Sequence, residues 1–511
     1  MNENRAVFGD RSRRQGRGPG RGRAKRGSDS ETPASATRRY SDSRGRKMAL
    51  MPILVIVGLM IPGHFTFNLF DAVMTPIRVI LILCFVPAVL NFLKHRGRLM
   101  LGDYAFFGFV GWTALCILIN RGTGGIERAG QFVLETGLVY TIFRGSLVNY
   151  AGIERVTRFL AWSGVIFMLL AVPEWITNSH WTRDQLNALF GTQSLHEQLA
   201  GERFGIIRAA SIFSHPILFG VICASLPVII WYSEPNKMRR NITAGGCLAG
   251  VFMSLSSGAF VAFGVQFACA LVEKYSRWLK GRFLIIGGAI ASALLAIQFI
   301  SNRGLFAVVV LLSLNPATAY YRRNIWDFGI DDVQRNPIFG MRPEEWTRLF
   351  WMTPSIDNFW LYRAMEGGFP AVILLVLANL LLIHEMFRHR SNMLPRRLAA
   401  YRFGIAFTLL GLACAGGTVH FFGKMQPFYI VMIALGAAAA RVAGDVAAET
   451  AEPKRKRNPG LAVSGPEAEE DAPKPPPEPT RAPAHASGNA AARRTARGRL
   501  PVGGSGPVHR R

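Results

Sequence analysis

The feature that most constrains this chain is a series of apolar blocks. Most are about 17–25 residues long, the length a helix needs to cross a ~30 Å hydrocarbon core. About twelve occur, near 49–67, 72–93, 103–119, 130–146, 157–177, 214–232, 241–258, 259–275, 283–301, 367–388, 401–420 and 425–443. In hydrocarbon, backbone donors and acceptors must be satisfied inside the segment, so such blocks fold as helices. The expected fold class is therefore an all-α polytopic membrane protein with about twelve transmembrane helices. Half of the 511 residues are hydrophobic and 18% are charged, a composition unlike that of an ordinary cytoplasmic enzyme.

Flanking segments differ sharply. Residues 1–47 are rich in Arg, Gly and Ser and have few apolar residues; a disordered basic tail is expected there. Its long basic stretch, with no cleavage site after the first apolar run, does not read as a secretory signal. Residues 444–511 combine KRKR, an acidic patch, KPPPEP and an Ala/Arg-rich end, which reads as a second disordered tail. The core expected between them is 48–443. Six cysteines lie inside apolar blocks without CxxC spacing, so small hydrophobes are expected rather than a disulfide framework or zinc site.

The net charge of +27 raises the possibility of nucleic-acid binding, which its location argues against. Alternate short loops carry Lys94, Arg96 and Arg98; Arg144, Arg155 and Arg158; Lys237, Arg239 and Arg240; Lys274, Arg277, Lys280 and Arg282; and Arg388, Arg390, Arg396, Arg397 and Arg402. All fall on the side of the basic N-terminal tail, which the positive-inside rule assigns to the cytoplasm. Both termini are then cytoplasmic, and membrane lipid is the expected partner of the tails rather than nucleic acid.

Two longer loops, about 178–213 and 302–366, fall on the opposite side. The second has seven Arg, seven Asp or Glu and no Lys. Exclusive use of Arg suits fixed, bidentate recognition of anions, although ion pairs bracing a solvated loop give the same composition. Its apolar stretches, 304–314 and 346–352, suggest short amphipathic helices at the membrane surface. There is no P-loop, HExxH or GxSxG. Candidate site residues are Arg203, Arg208 and His215 in ERFGIIRAASIFSHPILFG; Arg322, Arg323 and Trp326 in YYRRNIWDFGIDDVQRNPIFG; and Asp357 and Asn358 in SIDNFWLYRAMEGGFPAV. Arg203 and Arg208 suit a phosphate, or headgroups reached by snorkelling. Arg322, Arg323 and Trp326 share a helical face by spacing, which suits a diphosphate and a sugar ring. Asp357 reads either as an N-cap or as a general base. His215, before Pro216, reads as a helix start or a base. Glu366, Gly367, Gly368 and Pro370 predict a kink. Arg78, Glu135 and Glu174 lie within spans, where Arg78 and Glu135 could pair; His420, Lys424 and Gln426 lie at the outer end of the last two spans.

The order of these motifs resembles the O-antigen ligase/Wzy polymerase superfamily, and within it the VpsF-type exopolysaccharide polymerases. The resemblance rests on Met74-Thr75-Pro76-Ile77-Arg78, RxGxxRAxxxFxHPIxFG at 203–220, Leu255-Ser256-Ser257-Gly258-Ala259, Arg323 and Trp326 before NPIFG, and DNFWLYRAMEGGFPA. It covers about residues 49–440. It implies a GT-C-like inner-membrane glycosyltransferase with a periplasmic active site, a large periplasmic loop between spans 9 and 10, and no metal or cofactor. Such an enzyme moves a glycan from undecaprenyl diphosphate to an acceptor sugar hydroxyl, in exopolysaccharide or O-antigen biosynthesis. Implied partners are the lipid-linked oligosaccharide, the growing glycan, membrane lipids and other polysaccharide assembly proteins. The resemblance also implies arginines that hold the diphosphate and a histidine base near the start of a late span. Two positions depart from it: many members have Ser-Arg-Gly where this chain has Ser256-Ser257-Gly258, and many ligases have His-Asn where it has Asp357-Asn358. The Asp form is closer to polymerases and leaves the base unassigned.

The resulting expectation is a site in which Arg208, Arg322 and Arg323 stabilise the departing diphosphate. Asp357 takes or orients the acceptor proton, and Arg203, His215, Trp326, Asn358, His420 and Lys424 bind substrate. Direct attack is inverting. The alternatives are a ligase that attaches finished polymer to a lipid or protein acceptor, and a lipid-linked oligosaccharide transporter; a transporter would place charges at the midplane and show inverted repeats.

Overall fold

The computed structural model describes residues 49–62, 65, 67–69, 72–95, 99–190, 202–279 and 316–451, with isolated positions between 281 and 296. The N-terminal tail, the C-terminal segment beyond Ala451, most of the expected span at 283–301 and the apolar stretch 304–314 lie outside the described residues.

Among the described residues, regular structure is helical apart from one short hairpin, β1 (Phe67–Leu69) and β2 (Ala72–Met74), paired antiparallel with Phe67 opposite Met74. Helix α1 is Leu50–Met60, α2 Pro76–His95 and α3 Leu101–Arg121. A glycine turn follows α3. Next come α4 (Ile126–Phe132), a π-helical turn (Val133–Leu138), α5 (Val139–Ser146), α6 (Tyr150–Thr177) and α7 (Trp181–Phe190). The second half contains α8 (Pro216–Ala224), α9 (Pro227–Ser233), α10 (Lys237–Ser254), α11 (Ser257–Tyr275), α12 (Pro316–Arg335), α13 (Phe359–Arg388), α14 (Arg396–Gly416) and α15 (Met425–Ala451).

Among the described residues, eight helical stretches are long and apolar enough to cross a membrane, so the chain is an all-α polytopic membrane protein. Fewer than twelve qualify, for identifiable reasons. The stretch 101–146 counts as one although it holds two expected spans; α1 is short; α10 starts on Lys237, Arg239 and Arg240; and the ninth block is mostly undescribed. Boundaries also move. α13 begins at Phe359 rather than 367, and α15 continues to Ala451, past the expected end at 443.

Helix α15 is the hub, packing against α5, α13 and α14. Residues Tyr429 to Leu435 and Ala437 to Ala440 are buried, and their high Ala content lets neighbouring backbones approach closely. A Cβ on Gly436 would lie 3.3 Å from Leu409 of α14. Where α3 meets α5, the buried Asp103 and Arg144 pair at 3.1 Å, and Tyr140 Oη donates to Asp103 at 2.6 Å. An intramembrane charge needs such a partner.

The expected kink in α13 is present. Gly367 and Gly368 leave helical geometry, Gly368 at φ +68°, and the break frees carbonyls that must find other donors. The Asn336–Gly340 turn and α3 meet that need. Met341 N donates to Met365 O at 2.6 Å, and Trp112 Nε1 donates to Gly367 O at 2.8 Å. In the other direction, Phe369 N donates to Pro337 O at 2.8 Å. Asn120 Nδ2 donates to Phe339 O at 2.9 Å, and the Trp112 and Phe339 rings stack with centroids 5.6 Å apart. This docking requires glycine on both sides: a Cβ on Gly340 would sit 2.2 Å from Met365 O, and one on Gly368 2.1 Å from Ile338 O.

Gly368→Ala should therefore destabilise the protein by at least about 1–3 kcal/mol. The control, Gly124→Ala, adds a Cβ to open space and should leave the unfolding temperature of detergent-solubilised protein unchanged.

Candidate functional site

The segment 202–215 is irregular, yet it is clamped on two sides. The buried Glu174 carboxylate of α6 accepts from Ala210 N at 2.7 Å and Ser211 N at 3.0 Å, and Asn178 Oδ1 accepts from Ile207 N at 2.6 Å. Arg183 of α7 donates to the carbonyls of Phe213 and Ser214 at 3.2 and 3.4 Å. Across the segment, Ala209 N donates to Met253 O at 3.0 Å. These bonds hold Ser211 at φ +54°, a conformation that needs surrounding support.

This clamp directs two arginines at the α10–α11 turn. Arg203 Nη1 donates to Leu255 O at 2.7 Å, and Arg208 Nε donates to Ser254 O at 3.3 Å. Both carbonyls lie at the end of α10, where the helix dipole favours cations. Arg208 is buried, and its Nη2 is unpartnered. Burial pushes its guanidinium down to about 10, and the nearby Arg203 and Arg322 push the same way. It stays cationic at neutral pH.

Arg322 comes from the inward stripe of α12, which also contains Ile325, Gly329, Asp332 and Val333. The stripe packs on α13: a Cβ on Gly329 would lie 2.6 Å from Leu361. Arg322 Nε is buried without a hydrogen-bond partner. Burial lowers its pKa, as does Arg203, while the Asp357 carboxylate raises it. Asp357 is half-buried just before α13; burial raises its pKa and Arg322 opposes the rise. Arg203 and Arg322 thus both act on Arg208, while the Asp357 carboxylate acts on Arg322. A burial this unbalanced in charge is costly without an anion.

Next to this cluster lies a polar cavity of about 350 Å³, lined by Arg78, Arg128, Gln131, Glu135, Tyr362, Arg363 and His420 among others. The residue between the two is Phe422, whose ring lies 6.0 Å from His215 and 6.1 Å from His420. The His420 ring also lies 4.3 Å from that of Tyr362. Loop 417–424, which carries His420, is fastened to the start of α13: Asn358 Nδ2 donates to Gly417 O at 2.7 Å and Phe359 N to Val419 O at 3.1 Å.

The structure therefore brings Arg203, Arg208, Arg322 and Asp357 together, with His215 beside them. Asn358 is the N-cap of α13, accepting from Leu361 N at 3.0 Å; it positions its neighbours. His215 caps α8, its Nδ1 accepting from Ile217 N at 3.1 Å. Arg323 is half-exposed and lies 3.5 Å from Asp327, and Trp326 is 41% exposed. The two do not join Arg322, because the inward stripe of α12 leaves them on the outer side of the helix. Lys424 turns to Ile61 O, and burial pulls its ammonium down to about 8. Arg78 and Glu135 pair at 2.7 Å, as their spacing across spans allowed. Arg128, Gln131 and Arg363 gave no sequence signal beyond polarity near span ends, and Glu174 gave only its isolation in an apolar block.

Residues 242–376, roughly a quarter of the chain, match the family model described as O-antigen ligase. The match spans α12 and the start of α13, hence Arg322, Asp357 and the kink. It supports the O-antigen ligase/Wzy superfamily, and with it an O-antigen ligase/polymerase-family role and a membrane glycosyltransferase-like enzyme. A family of this kind implies lipid-linked glycan substrates. No curated protein matches the chain.

Burial, together with neighbouring arginines, pulls His215 down to about 4 and His420 down to about 3. Both are neutral in the folded protein at neutral pH. The unfolded chain binds their protons first as pH falls through about 6.5, so their contribution lowers stability as pH falls from about 6.5 toward 4. A His215→Gln/His420→Gln variant should show a shallower fall in unfolding temperature between pH 7 and 5 than the parent.

Proposed function

We propose that this protein is a polysaccharide polymerase of the inner membrane. In this reading it transfers an undecaprenyl-diphosphate-linked glycan to an acceptor sugar hydroxyl at the periplasmic face. The observation that carries the reading is the convergence of Arg203, Arg208 and Arg322 beside membrane-spanning helices, with buried donors on Arg208 and Arg322 unpartnered. A diphosphate supplies both the negative charge and the acceptor oxygens that these donors lack.

The leaving group gains charge as its bond to the anomeric carbon breaks, and fixed guanidinium groups stabilise that charge more in the transition state than in the ground state. Asp357, raised by burial and adjacent to Arg322, receives the acceptor proton. Attack is direct, and the product linkage is inverted relative to the donor. His215 serves as a helix cap and as a neutral wall, because its Nδ1 is engaged by Ile217 N and its pKa is low.

A ligase is the second reading, favoured by the family description of the matched residues. Asp357, where many ligases resemble one another in carrying His, favours the polymerase.

The test is replacement in cells at matched protein level. Arg322→Ala should reduce polymer formation on the order of 10²–10³-fold, and Asp357→Asn on the order of 10²–10⁴-fold. Arg323→Ala should stay near the parent. Single repeat units on the carrier lipid identify a polymerase; finished polymer on the carrier identifies a ligase. Unchanged polymer in both active variants overturns the assignment.

A further inference from the structure

The cavity beside the arginine cluster has no assigned role. Its walls differ in kind from the cluster. In the cavity, Arg78 is paired with Glu135 at 2.7 Å, and Arg363 with Glu366 at 2.5 Å. Glu366 also lies 3.6 Å from Arg128. Positive charge is thus largely neutralised at the wall, whereas in the cluster the Asp357 carboxylate faces Arg322 and not Arg203 or Arg208. A second multiply charged anion is a poor occupant of a wall already balanced by carboxylates.

What remains is a dense array of directional donors and acceptors. Gln131 accepts from Arg78 Nη2 at 3.2 Å, and Gln426 accepts from Arg363 at 3.1 Å while donating to Thr136 at 2.9 Å. His420 Nδ1 and Arg363 Nε are buried without hydrogen-bond partners. Aromatic rings, among them Tyr362 and Phe422, form part of the same wall. Hydroxyl groups pair with both carboxylate and guanidinium, and the C–H face of a pyranose packs on aromatic rings. The volume, about 350 Å³, falls in the range of about 300–1,000 Å³ typical of small-molecule sites. The π-helical turn Val133–Leu138 carries Glu135 into this wall, and such turns recur at functional sites.

We infer that this cavity is a sugar subsite that holds an uncharged pyranose ring adjacent to the diphosphate. The assignment rests on the polymerase or ligase reading. Phe422, in contact with both histidines, separates the ring from the charged cluster. The ring belongs either to the donor glycan or to the acceptor glycan, whose recognition chemistry is the same.

The experiment uses the full chain in lipid nanodiscs and three probes: glycan-free undecaprenyl diphosphate, the lipid-linked oligosaccharide extracted from a strain lacking this protein, and the lipid-free oligosaccharide released from that extract by mild acid. Gln131→Trp fills the cavity, and Gln131→Ala removes its amide with little steric change. Both variants should bind glycan-free undecaprenyl diphosphate like the parent. Gln131→Trp should lose about tenfold or more in affinity for a sugar-bearing probe, and Gln131→Ala should lose less in the same direction. Loss confined to the lipid-linked probe assigns the ring to the donor; loss confined to the lipid-free oligosaccharide assigns it to the acceptor. Equal binding of every sugar-bearing probe to parent and both variants overturns the subsite. Failure of the polymerase or ligase reading looks different: the parent then does not bind glycan-free undecaprenyl diphosphate, or binds it no better than Arg322→Ala does.

Discussion

The arrangement depends on the break in α13. In a helix that crosses hydrocarbon, a carbonyl released by a kink has no water to turn to. Here Met341 N and Trp112 Nε1 satisfy the carbonyls of Met365 and Gly367. Those bonds tie both α3 and the segment after α12 to α13, and Asn120 Nδ2 ties the same segment to α3 through Phe339 O. The position of Arg322 follows, because α12 lies against the part of α13 that precedes the break. Asp357 and Asn358 stand at the first turn of the same helix. A local backbone problem thereby sets the spacing between a cation and the carboxylate it faces.

A second constraint acts from the other side. Segment 202–215 has little regular structure of its own, yet it delivers Arg203 and Arg208 to the end of α10. It can do so because Glu174 and Arg183 replace the missing backbone pairing. The carbonyls of Ser254 and Leu255, just before the Ser256-Ser257-Gly258 turn, are filled by Arg208 and Arg203.

Much of the fold was legible from hydropathy alone, because block length and the hydrocarbon thickness are tied by helix rise. Limits were less legible. α15 runs past 443 because Ala-rich sequence continues the helix beyond the apolar block, and the start of α13 lies at Phe359 because Asn358 caps it. Within the site, Arg208, Arg322 and Asp357 could be singled out as polar residues beside spans. The separation of Arg322 from Arg323 could not, since it depends on which stripe of α12 meets α13. The cavity was invisible for a similar reason: its walls come from five separate regions of the chain, and only tertiary packing joins Gln131 to Gln426.

The two histidines beside Phe422 share one property with a further consequence. Both are held neutral, so neither imidazole adds to the positive potential of the guanidinium groups around the site. Guanidinium does not titrate at ordinary acidity, and imidazole would. On the proposed reading, mild acidification then leaves the charge that holds an anionic carrier unchanged and acts instead on the proton transfer assigned to Asp357.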